Sequence, residues 1–325
     1  MALFILLTIF LAIVAFFLIG TPPEAEEIIF GVNFSQRHAQ KLGLDWKETL
    51  LALLDDLRVR DIKLITQWDL IEPQKDNFSF DDLDWQISEI EKRKGKIILV
   101  IGMKTGRWPE CHIPEWAKDL DRKEQQERIL NLIEKIVLRY EENPSIAIWE
   151  IENEPLFPFG ECPWRDKDFV KKEISQVRSL DSKKRPVLIS DSGEFSLWIT
   201  AARLGDVVGV TMYKKAWFKE LGIHISYPFP PIFYWRKSQM IENIFAKSII
   251  CVELQAEPWC KNLLYDCPPE EQQKTMDLVQ FRRIIEFASK TGINKFYLWG
   301  GEWWYWLKEK QVQPEIWQEA KKLWN

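Results

Sequence analysis

The chain has 325 residues, 46% of them hydrophobic and 29% charged, an ordinary globular composition that can bury a large core. A formal net charge of -5, with no lysine-rich run, excludes a basic surface for nucleic acid. Tryptophan is the outlier at 17, and where those rings fall along the chain decides whether they are core filler or stacking surfaces.

Residues 1–20, MALFILLTIFLAIVAFFLIG, carry no charged side chain. Their apolar run of about 18 residues approaches the ~20 that a bilayer core requires. A cleaved signal peptide has a shorter apolar stretch of about 7–15 residues and small residues before the cut. The exit here reads Leu18-Ile19-Gly20-Thr21-Pro22-Pro23-Glu24-Ala25, with no small-x-small site. The segment 1–20 is therefore expected to be an uncleaved transmembrane or signal-anchor helix, with a cleaved signal as the alternative. Pro22-Pro23 and the acidic residues after them mark a short linker over 21–27. No Lys or Arg flanks the N-terminal side, so charge does not set the orientation.

From residue 28 the sequence keeps a regular beat of β-rich apolar runs and amphipathic stretches. The runs cover 28–35, 62–70, 96–104, 146–155, 186–193, 207–214, 248–259 and 293–301. Helical patterns fill the gaps over 46–58, 83–94, 124–140 and 271–290, and a last helix over 315–324 closes the chain. Eight such units predict an α/β protein, a (β/α)8 TIM barrel over 28–325. A doubly wound sheet would show a Gly-rich loop after its first strand, where this chain has Asn33-Phe34-Ser35-Gln36-Arg37.

Barrel active sites lie at the C-terminal strand ends, which directs attention to Asn33, Trp68, the stretch from Trp108 to His112, Asn153-Glu154, Tyr213, Glu253 and Trp299. Glu154 ends strand four and Glu253 ends strand seven. These strands face each other across the mouth, so two carboxylates can flank one scissile bond. A lone glutamate at a strand end is usually solvated or ion-paired; a facing pair, one of them in Asn153-Glu154-Pro155, is far more specific. Retaining glycosidases use such a pair about 5–5.5 Å apart. Trp68, Trp108, Trp164, Trp217, Trp259, Trp299, Trp303 and Trp304 fall at or after strand ends, which favours an aromatic-lined carbohydrate cleft over core filling.

In these residues the chain resembles the clan of retaining glycoside hydrolases with (β/α) barrels and catalytic glutamates on strands four and seven, closest to the cellulase-like family 5 and β-galactosidase-like family 42. The resemblance spans about 28–325 in layout. It rests on WEIENEP (149–155), Glu253, Tyr213, Trp299 in LWGG, the stretch from Trp68 to Pro73 and Arg107-Trp108-Pro109-Glu110. It implies hydrolysis of β-glycosidic bonds of an oligo- or polysaccharide by double displacement. Glu154 would be acid/base and Glu253 nucleophile. Asn153 would bond the sugar 2-hydroxyl, Tyr213 would hold Glu253, and Trp299 would floor the reacting sugar; packing is the plainer reading of the last two. Many relatives carry an arginine on strand two where the nearest match here is Lys63, a point charge without a bidentate fork.

Other residues stay open between two roles. Trp68, Trp108, His112 and Glu257 are candidate substrate contacts, while His112 is equally a structural histidine and Glu257 equally a solvated loop residue. Period-two alternation puts Glu150 and Glu152 on the Glu154 face, with Lys63 a candidate partner, yet Asn153 is also expected at the site, so alternation must break at the strand end. Cys111 with Cys162, and Cys260 with Cys267, are candidate bridges, leaving Cys251 as a buried thiol. Scattered histidines and no paired CxxC predict no metal, and no cofactor or protein partner is expected. The expected partners are a carbohydrate and a membrane, with the barrel outside the cytoplasm, or secreted if the leader is cut. The alternatives are an inactive carbohydrate-binding barrel and a transglycosylase using the same site.

Overall fold

A computed structural model describes residues 1–23, 25, 27–218 and 221–324; Glu24 and Glu26 of the expected linker lie outside the described residues. Eight parallel strands close into a barrel. In chain order they are Ile29–Phe34, Asp61–Ile65, Lys96–Ile101, Ile146–Ile151, Val187–Asp191, Val207–Met212, Ser248–Gln255 and Lys295–Trp299, numbered one to eight below. An antiparallel hairpin, Lys215–Phe218 with Ile223–Ser226, follows strand six.

Seven strands sit within their apolar runs and strand two starts one residue early, at Asp61, but the runs overshoot at their C-terminal ends. The 62–70 run stops as a strand at Ile65 and turns helical over Trp68–Ile71. The expected helix over 271–290 is two helices, Pro269–Gln272 and Leu278–Ser289. Asp277 restarts it by accepting from the Gln280 amide, an N-cap that satisfies an orphan donor. Likewise Arg122–Tyr140 begins with a capping box between Asp121 and Glu124.

Alternation splits the buried apolar residues into a large cluster outside the barrel and two small ones, the smallest being Ile65, Val100 and Trp299. The large one lies between barrel and helices. A smaller one fills the barrel floor with Ile98, Leu188, Val207, Ile250, Val252 and Tyr297. The Tyr297 ring is accommodated by Gly31, where an added Cβ would stand 2.8 Å from it. Above this floor comes a polar layer of Lys63, Glu150 and Ser190, all buried, and above that the mouth.

The expected membrane span needs correction. The N-terminal helix, Ala2–Leu18, has 17 residues. At about 1.5 Å per residue this falls short of a ~30 Å hydrocarbon core, and no helix among the described residues is long and apolar enough to cross a membrane. Its far end docks on the Pro231–Phe245 helix, with Phe17 6.1 Å from Phe233 and the Arg236 guanidinium 4.5 Å from the Phe16 ring. Phe4, Leu6 and Phe10 remain exposed.

Candidate active site

Glu253 reaches the mouth because strand seven bulges. Cys251 pairs with Phe296 and Leu254 with Leu298, so Val252 and Glu253 together stand opposite Tyr297 alone. On the other side, Val210 pairs with Cys251 and Thr211 with Glu253. Two residues opposing one is a β-bulge, which re-aims side chains. With Val252 packed into the barrel floor, strict alternation would have turned Glu253 outward.

Strand four solves the same problem differently. Glu150 points inward to Lys63 at 3.2 Å and accepts from Ser190 Oγ at 2.7 Å. Past Ile151 the backbone turns left-handed at Glu152 (φ 54) and again at Glu154 (φ 44), a conformation that non-glycine residues adopt rarely and mostly where function requires it. The first turn sends Glu152 away from the mouth toward Glu173 and Gly102, correcting its expected place beside Glu154. Asn153 and Glu154 are left facing the site.

The two carboxylates have unlike surroundings. Glu253 accepts from Tyr213 Oη at 2.7 Å and from Lys63 Nζ at 3.3 Å. Lys63 is fully buried; burial opposes its charge, but Glu150 and then Glu253 outweigh it and raise its pKa. Tyr213 is held protonated, its pKa raised by burial and then by Glu253. Among the described residues no cation pairs with the Glu154 carboxyl. It accepts from Thr211 Oγ1 at 3.1 Å, and burial, then the Glu253 charge, raise it well above the ordinary carboxylate range. Thr211 is also the register partner of Glu253 on the neighbouring strand, which sets the two glutamates close enough for the Glu253 charge to act on Glu154. Lys104 fixes the Glu154 loop from behind, donating to the Glu154 and Phe157 carbonyls at 2.8 and 3.1 Å.

Asn153 stands between them, with Oδ1 accepting from Lys63 Nζ at 2.8 Å and Nδ2 3.4 Å from Glu110 Oε2. A Cβ added at Gly106 would lie 3.5 Å from the Trp299 ring and 3.7 Å from Asn153 Cγ, so both flank Gly106. Arg107 lies over Trp299 at 3.9 Å, and the ring also packs with Ile65 and Val100. Trp108, 40% exposed, leads along the rim through Phe159 to Trp259 and Tyr213, with neighbouring centroids 5.0–6.0 Å apart.

Several candidates do not line the cleft. Trp68 is fully buried and donates to Glu72 Oε2 at 2.9 Å; Trp303 and Trp304 are also core. His112 is buried with Nε2 2.9 Å from the Gly106 carbonyl, and burial lowers its pKa to about 4; it is a neutral brace for the loop. Glu257 is neither solvated nor free for substrate. Arg107 binds its Oε1 and His38 lies 3.4 Å from Oε2; burial alone would raise its pKa, but Arg107 and then His38 hold it near 2. Asn33 donates to the Val252 and Tyr297 carbonyls, tying down the strand with the bulge. Thr211, Lys104, Glu110 and Glu302, the last paired with Arg107 at 3.1 Å, were not singled out from sequence. Glu110 alone carried a signal, as the last residue of Arg107-Trp108-Pro109-Glu110.

Both candidate cysteine pairs are bridged, Cys111–Cys162 and Cys260–Cys267, with Cα separations of 5.3 and 6.3 Å. Cys251 is buried and free. Among the described residues no cluster could hold a metal ion.

No family model and no curated protein matches the chain. Solved structures do. A β-galactosidase from the Antarctic haloarchaeon Halorubrum lacusprofundi is similar at 13% identity and TM-score 0.54 over 84% of this chain and 52% of that one. Xylanase 10B from Thermotoga petrophila, in complex with xylobiose, is similar at 13% identity and TM-score 0.57 over 84% and 82%. A GH5_18 protein from Bifidobacterium longum is similar at 9% identity and TM-score 0.58 over 84% and 70%. The chain thus spans about half the length of that β-galactosidase. At these identities the likeness establishes the fold, the (β/α) barrel of the glycoside hydrolases that the sequence resembles, and fold alone does not fix an activity.

Proposed function

We propose that this protein is a retaining β-glycoside hydrolase with Glu154 as acid/base and Glu253 as nucleophile. The carrying observation is the unlike setting of two converging carboxylates. Glu253 has a lysine and a tyrosine hydroxyl aimed at it, which favours a charged nucleophile. Among the described residues no cation pairs with the Glu154 carboxyl, and burial, then the Glu253 charge, outweigh the more distant Lys104 and raise its pKa, which favours a proton held for the leaving group. Such pairs mark acid and base assignments. In the first step Glu253 attacks the anomeric carbon as Glu154 protonates the departing oxygen. In the second, Glu154 takes a proton from water, which displaces Glu253 from the sugar.

A panel of aryl β-glycosides tests the reading. Glu253→Ala is expected to be nearly inactive, and azide should restore turnover with inverted product. Glu154→Ala is expected to keep activity on dinitrophenyl glycosides, whose leaving group needs no proton. A Glu253→Ala enzyme of normal activity would sink the assignment.

The place of action is the second part of the proposal: a membrane surface outside the cytoplasm. The exposed apolar side chains of Ala2–Leu18 support attachment, since apolar patches of that extent mark interaction sites. Two disulfides support an oxidising compartment. Failure of the full chain to co-sediment with phospholipid vesicles would refute the attachment.

A further inference from the structure

A third carboxylate stands in the reaction centre. Glu110 is 5% exposed, and among the described residues Asn153 Nδ2 is the one hydrogen-bond partner of its carboxyl. The Asn153 amide is thereby tied at both ends, its oxygen to a cation from strand two and its nitrogen to a carboxyl oxygen from the loop after strand three. An amide nitrogen carries two hydrogens. One is directed at Glu110, so the other has a fixed direction.

The local backbone holds Glu110 in place. It is left-handed (φ 76), its amide donates to the Arg107 carbonyl at 2.6 Å, and its carbonyl accepts from Thr105 N at 3.1 Å. The next residue, Cys111, is bonded to Cys162. A Cβ at Gly160 would stand 2.5 Å from Glu110 Cβ, so only glycine lets that loop close over it. Burial pushes the Glu110 carboxyl up to about 7, with Lys104 opposing and Glu253 adding to the rise. A carboxyl kept at this cost, with a single partner, points to a function for that partner.

We propose that Glu110 is a positioning residue that fixes the Asn153 amide so that its free N–H meets the 2-hydroxyl of the sugar undergoing cleavage. The proposal rests on the retaining-hydrolase reading, in which hydrogen bonds to that hydroxyl strengthen at the transition state. The loss of Glu110 is then felt by a substrate with a 2-hydroxyl and not by one without.

The test compares kcat/KM for the aryl β-glycoside that the wild type cleaves best with its 2-deoxy counterpart, a cycle between protein and substrate. Glu110→Ala is expected to lower kcat/KM about 10–100-fold on the hydroxylated sugar and less than about 3-fold on the deoxy sugar, the scale set by one charge-assisted hydrogen bond. Asn153→Ala should show the same selectivity, and the double variant should add little. Glu110→Gln keeps an acceptor oxygen and should stay within about 5-fold of wild type. Glu110→Met, which preserves volume without an acceptor, replaces the alanine variant if that fails to fold. Equal losses on both sugars, or none on either, would overturn the proposal. A wild type that binds the sugars without turnover would defeat the hydrolase reading instead. Calorimetric affinities of the same variants would then be compared, with the same selective loss expected.

Discussion

Replacing Lys63 by methionine tests the polar layer on which the mouth is built. The ammonium is fully buried and lies 3.2 Å from Glu150 and 3.3 Å from Glu253. At an effective dielectric of about 20 each attraction is roughly 5 kcal/mol before desolvation. Removing one partner of a buried pair strands the other, at a net cost of about 3–5 kcal/mol. At roughly 2 °C per kcal/mol for a chain of this size, Tm should fall by about 6–10 °C at pH 7. The pH dependence gives the sharper check. Lys63 has a raised pKa, so its contribution is fully present below the unfolded value near 10.5 and does not change between pH 5 and 8. Burial already raises the Glu150 pKa against the pull of Lys63, so without the ammonium Glu150 binds its proton more tightly folded than unfolded. Stability is then lost as pH rises from about 4.5, and the deficit should be smaller at pH 5 than at pH 8. Thermal denaturation of both proteins across that range measures it. Equal deficits at pH 5 and pH 8, or a Lys63→Met protein as stable as wild type at pH 8, would refute the reasoning. Activity should fall as well, because the same ammonium orients Asn153.

Two further outcomes are expected. Tyr213→Phe removes one hydrogen bond to Glu253 and leaves the Lys63 contact, so kcat/KM should drop about 10–100-fold with Tm nearly unchanged, as for a charge-assisted bond; a loss under about 3-fold in steady-state kinetics would contradict that role. Glu173 is fully buried with neither oxygen partnered among the described residues, and burial, then Glu152, raise its pKa well above the ordinary range. Above about pH 4.5 the unfolded carboxyl ionises while the folded one does not, which costs stability as pH rises. Glu173→Gln should therefore gain in Tm over wild type between pH 5 and 7; parallel melting curves would rule the coupling out.

The sequence by itself determined the architecture, because strand and helix periodicities are local and each of the eight runs could be read without its neighbours. It also placed Glu154, Asn153, Tyr213, Glu253 and Trp299 at one end of the barrel, since position along a strand fixes which end a residue occupies. What it could not show was direction. Glu253 faces inward through a bulge that exists only as a register against strands six and eight. Glu152 and Glu154 part company through two left-handed residues that no periodicity signals. Pairings between distant segments were hidden for the same reason. Glu257 looked like a free loop carboxylate until Arg107 and His38 were folded against it, and Trp68 looked like a cleft residue until Glu72 and the core enclosed it. Burial and ion pairing depend on three-dimensional neighbours, so the tertiary structure alone decided which strand-end residues face the mouth and which are held in the wall.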